Sequence, residues 1–183
     1  QLTSANYGVI ETVVGMASIG MMAIEFGSGT SGIRQIANRS RSVRDVVHAV
    51  VSSRIIIAFT VVPLLVFGYA LLMGANAPTG LLLLFGCSMI AGVVKHDWLF
   101  QAHDRMALST AGITLKTALF LVVIVLLRPG ANGIEMVGYA ELAAMAAMAA
   151  YFLIARLFAY RMEPRLPDLR EGLRFLADSA PLG

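Results

Sequence analysis

The sequence predicts an all-α protein: a polytopic transmembrane helical bundle of about five spans, with an interfacial amphipathic helix and a C-terminal helix start. Three observations predict it. Forty consecutive residues, Ile55 to Val94, contain no Asp, Glu, Lys or Arg. A Gly-Ala-Asn-Ala-Pro-Thr-Gly turn at 74–80 splits them into halves of about 20 residues, each able at about 1.5 Å per residue to cross a roughly 30 Å hydrocarbon core. The chain as a whole is 58% hydrophobic and 14% charged, with mean hydropathy +0.78, whereas soluble domains carry about 25% charged residues. Most of the charges that remain sit between the apolar stretches, which is where lipid tolerates them.

The spans follow in order. The first covers 7–26, from Tyr7 to Phe26, interrupted by Glu11 and closed by Glu25. The second and third are the charge-free halves, 55–74 and 79–98, and Pro63 should kink the former. The fourth, 107–127, carries Lys116 at its centre, and the fifth, 136–157, is rich in Ala and Met with Glu141 near its start. Small residues, Gly8, Gly15 and Gly20 in the first span and Ala143, Ala144, Ala146, Ala147 and Ala150 in the fifth, suit close helix packing.

Charge fixes an orientation. Residues 28–54, 95–106 and the tail after Ala155 hold twelve of the fourteen basic residues, and alternating spans put all three on one side; apart from Lys116 inside the fourth span, only Arg128 lies elsewhere. The positive-inside rule makes that side cytoplasmic and the N-terminus of this chain external. The same asymmetry accounts for the pI of 9.4 without nucleic acid. Cys87 is the single cysteine and forms no internal disulfide.

Within 31–54, Ile33, Ile36, Val43, Val46, Val47 and Val50 alternate with Arg34, Asn38, Arg41, Arg44 and Asp45 at helical spacing, so an amphipathic helix is expected along the interface, feeding the second span. Leu166 to Ala177 has the same character. Residues 1–165 therefore form a partial N-terminal transmembrane bundle and 166–183 a truncated start of the next helix. The chain is expected to be an internal fragment, lacking a span before Gln1 and further spans after Gly183. No loop is long enough for a folded soluble domain, and there are no paired carboxylates, nucleophile–base pair or cofactor motif, so an enzyme is not expected.

Asn6-Tyr7-Gly8 opens the first span, Glu25-Phe26-Gly27 closes it, and Gly32-Ile33-Arg34-Gln35-Ile36-Ala37 follows. Asp97-Trp98-Leu99-Phe100-Gln101-Ala102 and Asp104-Arg105-Met106 mark a cytoplasmic turn, and Leu173-Arg174-Phe175-Leu176 leads to Ser179-Ala180-Pro181-Leu182. In order and spacing this resembles the bacterial polysaccharide flippases of O-antigen (Wzx-like) type, within the multidrug/oligosaccharidyl-lipid/polysaccharide exporter superfamily. Ala102-His103 and Asn38-Arg39 depart from the acidic residues common there. The resemblance implies two six-helix bundles forming a V around a basic cavity in the bacterial inner membrane. The cargo it implies is an undecaprenyl-pyrophosphate-linked oligosaccharide, flipped by alternating access, with membrane lipids and other polysaccharide-assembly proteins as partners. On this reading the present chain is spans two to six. The alternatives are a cation-coupled multidrug exporter of the same superfamily, towards which only Glu11 leans, and a non-transporting scaffold subunit of a polysaccharide-assembly complex.

Lys116 is the foremost candidate for substrate binding. An intramembrane Lys costs about 2.5–3.5 kcal/mol on insertion scales and so faces a bundle interior or an aqueous cavity. Thr110, Thr114 and Thr117 lie near its face, and an ammonium at mid-depth could hold the carrier's diphosphate. The competing role is a packing ion pair with Glu11 or Asp97. Arg34 at the inner mouth and Arg54 after Ser52-Ser53 could receive the headgroup through bidentate contacts, or could simply snorkel at the boundary. Glu11 and Glu25 could couple transport to a proton or sodium ion, or Glu11 could be interfacial and Glu25 could pair with Arg34. His96-Asp97 and His103-Asp104 repeat seven apart, but without a supporting third ligand they read as polar caps, and no metal is expected.

Overall fold

The computed structural model describes residues 4–39, 41–127, 133–162 and 166–179. Arg128, Arg165 and the Ala180–Gly183 end of the tail, used above for orientation and resemblance, lie outside them. Among the described residues every regular element is a helix: α1 (Ser4–Glu25), α2 (Ser28–Ala37), α3 (Val43–Met73), α4 (Thr79–Gly92), α5 (Asp97–Gln101), α6 (Met106–Leu127), α7 (Glu135–Tyr160) and α8 (Leu169–Ser179), with a single 3-10 turn, Gly74–Asn76, between α3 and α4. Five segments, built on α1, α3, α4, α6 and α7, are long and apolar enough to cross a membrane. The chain is a polytopic helical bundle.

Helix α4 is the centre of the packing, touching α1, α3 and α7, while α6 lies against α7. Small residues permit the closest approaches. Gly20 on α1 faces Met89 and Leu65, Gly86 on α4 faces Val62 and Val66, Gly112 on α6 faces the Phe152 ring, and Gly138 on α7 faces Leu84. Of the three first-span glycines only Gly20 has this role, since Gly8 and Gly15 look onto open space. The outward faces of α3 and α6, with Phe59, Leu64, Phe67, Leu71, Leu121, Val125 and Leu126, are exposed, as expected of surfaces that meet acyl chains rather than water.

The amphipathic stretch 31–54 is not one interfacial helix. Helix α2 stops at Ala37, and the chain turns through Arg39 at φ 51°. Helix α3 then begins behind Ser42, whose Oγ accepts from the Asp45 N–H at 3.2 Å, a standard N-cap. From there α3 runs unbroken for 31 residues, about 46 Å at about 1.5 Å per residue, with Pro63 inside it. Its first turns are covered rather than spread on an interface: Val46, Val47, Ala49 and Val50 are buried with Trp98, Leu99 and Phe175. The cover is α8. Gly172 lets α8 approach so closely that a Cβ would stand 2.9 Å from the backbone of Ser52. The Asp168 N–H donates to Ser52 Oγ at 3.0 Å, and His48 meets Glu171 at 2.6 Å.

The third span is also shorter as a helix than its hydropathy suggests. Helix α4 ends at Gly92, and Val93 to His96 turn the chain into the short α5. Helices α2, α5 and α8 and the adjoining ends of α3, α6 and α7 thus gather at one end, the arginine-rich end of the bundle.

Candidate functional site

Helices α1 and α6 form the walls of a cavity of about 500 Å³ whose floor is α4 and α7. Most of its surface is apolar: Met21 and Met22 from α1, Phe85 and Met89 from α4, Phe120 from α6, Met145 and Met148 from α7. Into this surface project four charged side chains, Glu25, Lys95, Lys116 and Glu141. They form two pairs. Lys116 Nζ stands 2.7 Å from Glu141 Oε1, with the two side chains 29% and 15% exposed. Lys95 Nζ stands 3.0 Å from Glu25 Oε1 and 3.4 Å from Asp97 Oδ2.

Each pair has a local cause. Gly112, one turn before Lys116, admits the Phe152 ring and draws α6 onto α7, and the Tyr151 hydroxyl donates to the Leu108 carbonyl at 3.0 Å along the same seam. This contact sets Lys116 beside Glu141, in the adjacent span. Lys95 is placed by the turn after α4, where its N–H donates to the Gly92 carbonyl at 3.0 Å, so the ammonium reaches back to the end of α1. An ammonium and a carboxylate at this depth each relieve the desolvation cost of the other.

Below this cavity, towards the arginine-rich end, lies a second chamber of about 340 Å³ between α1, α2 and α5. Met22 and Glu25 belong to both. Arg54 stands in its wall, 2% exposed. Its Nε donates to Ser28 Oγ at 2.8 Å and its Nη1 to the Lys95 carbonyl at 2.8 Å. Ser28 in turn donates to the Glu25 carbonyl at 2.8 Å, so Arg54 ties the end of α1, the start of α2 and the turn before α5 together.

The sequence-derived candidates therefore separate. Lys116 and Glu25 line the larger cavity, and Arg54 and Glu25 line the smaller chamber. Arg34 and Glu11 are exposed and line neither, and Glu11 stands one helical turn from Tyr7. The partner of Lys116 is Glu141, not Glu11 or Asp97, because α6 packs on α7. Glu25 pairs with Lys95 rather than with Arg34, which is exposed. Thr110, Thr114 and Thr117 are exposed and outside the cavity. Lys95, Glu141 and Ser28 are the residues that sequence reasoning did not assign to the site. Glu141 carried a usable signal, an acid inside an Ala/Met-rich span next to the span with Lys116. Lys95 did not, since its position is what the positive-inside rule already predicts.

His96 is buried and serves structure. Its Nδ1 meets the Val94 carbonyl and its Nε2 accepts from Arg156 Nη1 at 3.2 Å, which fixes the neutral Nδ1–H tautomer. His103 Nδ1 meets the Leu99 carbonyl at 3.0 Å. Neither ring joins a set of metal ligands among the described residues.

No curated protein and no solved structure is found to match the chain significantly. A family model described as "Polysaccharide biosynthesis protein" matches all of it, residues 1–183. A helical bundle with membrane-length spans and a charged internal cavity thus has its place: the chain belongs to the polysaccharide biosynthesis protein family.

Proposed function

We propose that this chain forms part of a flippase that moves an undecaprenyl-pyrophosphate-linked oligosaccharide across the bacterial inner membrane by alternating access. The observation that carries the reading is the cavity between α1, α4, α6 and α7, with Lys116 held at mid-span by Glu141. In an apolar, partly desolvated setting a diphosphate is a stronger partner for an ammonium than one carboxylate, because it brings more charge and more acceptor oxygens. Cargo binding then exchanges Glu141 for phosphate at Lys116, and release restores the pair. Glu25, at the junction of the two chambers, is the carboxylate placed to link this exchange to a proton or a sodium ion. The arginine-rich end is the cytoplasmic end, and the N-terminus of the chain lies outside. The protein transports and does no covalent chemistry.

A second reading, a cation-coupled multidrug exporter, is favoured by one feature: the cavity sets two carboxylates among five methionines and two phenylalanines, a surface that suits an amphiphilic cation. Reconstitution separates the two. Proteoliposomes carrying a fluorescent undecaprenyl-pyrophosphate oligosaccharide are expected to show leaflet exchange that Lys116→Gln removes and Arg34→Gln does not. Absence of exchange, or exchange indifferent to Lys116, overturns the proposal, and efflux of a cationic dye abolished by Glu141→Gln establishes the alternative.

A further inference from the structure

The smaller chamber differs in chemistry from the larger cavity. At and beside it stand two cations, Arg54 and Lys95, and two anions, Glu25 and Asp97, so its formal charge balances. Two of the three Arg54 nitrogens are committed, and Nη2 makes no hydrogen bond to the described residues. Glu25 and Asp97 each use one oxygen on Lys95, which leaves Glu25 Oε2 and Asp97 Oδ1. Gln101 donates to Ser109 at 3.3 Å and keeps its carbonyl oxygen. Trp98 is 3% exposed, and its indole Nε1 is buried without a hydrogen-bond partner among the described residues. The Trp98 ring closes the inner wall of the chamber, packed on Gly29 and Gly32.

Residues with spare donors and spare acceptors thus line a single chamber. An anion would meet two carboxylates, and a cation would meet a guanidinium. A group that both donates and accepts at every position satisfies the set, and the vicinal hydroxyls of a sugar ring are such groups. Phe26, 71% exposed at the chamber's edge, supplies the apolar surface on which a pyranose ring can lay its C–H face. The volume is at the lower end of the roughly 300–1,000 Å³ range of small-molecule pockets. We infer that the chamber between α1, α2 and α5 is a saccharide subsite that takes one or two neutral sugar rings through Arg54, Asp97 and Gln101, with Trp98 as its inner wall. The inference rests on the reading of the chain as a carrier of a saccharide cargo and assigns the sugar and the phosphate to different chambers, the sugar towards the arginine-rich end.

The sequence supplies its own probe, because Trp98 is the only tryptophan among these 183 residues. The full-length protein in nanodiscs, with any tryptophan outside these 183 residues replaced by Phe, is titrated with a hexose, an N-acetylhexosamine, a hexuronate, inorganic pyrophosphate and sodium chloride, following Trp98 emission with calorimetry alongside. At least one neutral sugar is expected to give a saturable emission shift and heat, with none from pyrophosphate or sodium. Gln101→Ala and Asp97→Asn are expected to weaken sugar binding by about tenfold or more, the scale of one lost bond from a buried polar group, while Arg34→Gln, outside both chambers, leaves it unchanged. No saturable response to any sugar, a response to pyrophosphate instead, or binding indifferent to both variants overturns the inference. Sugar binding in a protein that fails to move lipid-linked cargo leaves the subsite standing and removes only the transport reading.

Discussion

The pairing of Lys116 with Glu141 can be measured directly. Glu141→Gln leaves an ammonium facing five methionines and two phenylalanines, and Lys116→Gln leaves a carboxylate there. The side chains are 29% and 15% exposed, so the pair stands between a surface ion pair worth about 0–1 kcal/mol and a buried pair whose breaking costs about 3–5 kcal/mol. Each single substitution should therefore cost about 1–3 kcal/mol, and the double substitution less than the sum, with a coupling of about 1–2 kcal/mol. At about 2–4 °C per kcal/mol for a chain of this size, each single variant loses several degrees of melting temperature, and Lys116→Gln/Glu141→Gln recovers part of the loss. The assay is thermal unfolding of all four proteins in one nanodisc composition, followed by Trp98 emission. Additivity within about 0.5 kcal/mol would mean that the two charges do not sense each other, and the exchange mechanism built on them would fall.

Other consequences are simpler. Gly112→Ala drives a methyl group to within 2.6 Å of Phe152 and should cost about 1–3 kcal/mol by overpacking. Gly15→Ala, facing open space, should instead stabilise α1 by up to about 1 kcal/mol. Paired melting curves compare them. Ser42→Ala removes the α3 cap and should cost about 1 kcal/mol, seen as faster amide exchange over Val43–Val46 with the rest of α3 unaffected. Arg54→Lys cannot reproduce bonds from two nitrogens at once to Ser28 and Lys95, so it should cost about 1.5–3 kcal/mol and loosen α2, which limited proteolysis would register near Asn38.

The spans were legible because their signal is bulk apolarity over about 20 residues, and lipid enforces it regardless of neighbours. The break at 38–42 was not. The valines keep helical spacing across it, and only Ser42 with Asp45 behind it marks a new start, a signal that local alternation hid. Burial of the first turns of α3 depends on α8, more than a hundred residues away, so no window of sequence contains it. Lys116 stood out because its cost in lipid demands a reason. Its partner was legible in principle, as the acid in the span joined to its own by a short loop, yet sequence reasoning looked to more distant carboxylates. Arg54 shows the limit of boundary reasoning. An arginine at the start of a span reads as snorkelling, whereas this one is folded inward, with two nitrogens bonded to the protein.

Whether the larger cavity holds water decides how much of the functional argument stands, and a thiol can ask the question. Ser18 lines the cavity wall on α1 and is exposed to it, while Leu121 and Val125 on α6 are exposed outside it. In a Cys87→Ser background, Ser18→Cys differs from Leu121→Cys in one respect: which medium bathes the sulfur. The thiolate is the nucleophile that attacks a methanethiosulfonate and expels its sulfinate, and a thiol in hydrocarbon does not ionise. Ser18→Cys should thus react with a membrane-impermeant methanethiosulfonate, and Leu121→Cys and Val125→Cys should not. Lipid-linked cargo should slow the first reaction by occupying the space. Reaction at Leu121 together with silence at Ser18 would mean that α1 and α6 face the opposite media from those assigned here. The charged pairs would then be internal packing, and the surface now read as lipid-facing would be the one to examine for transport.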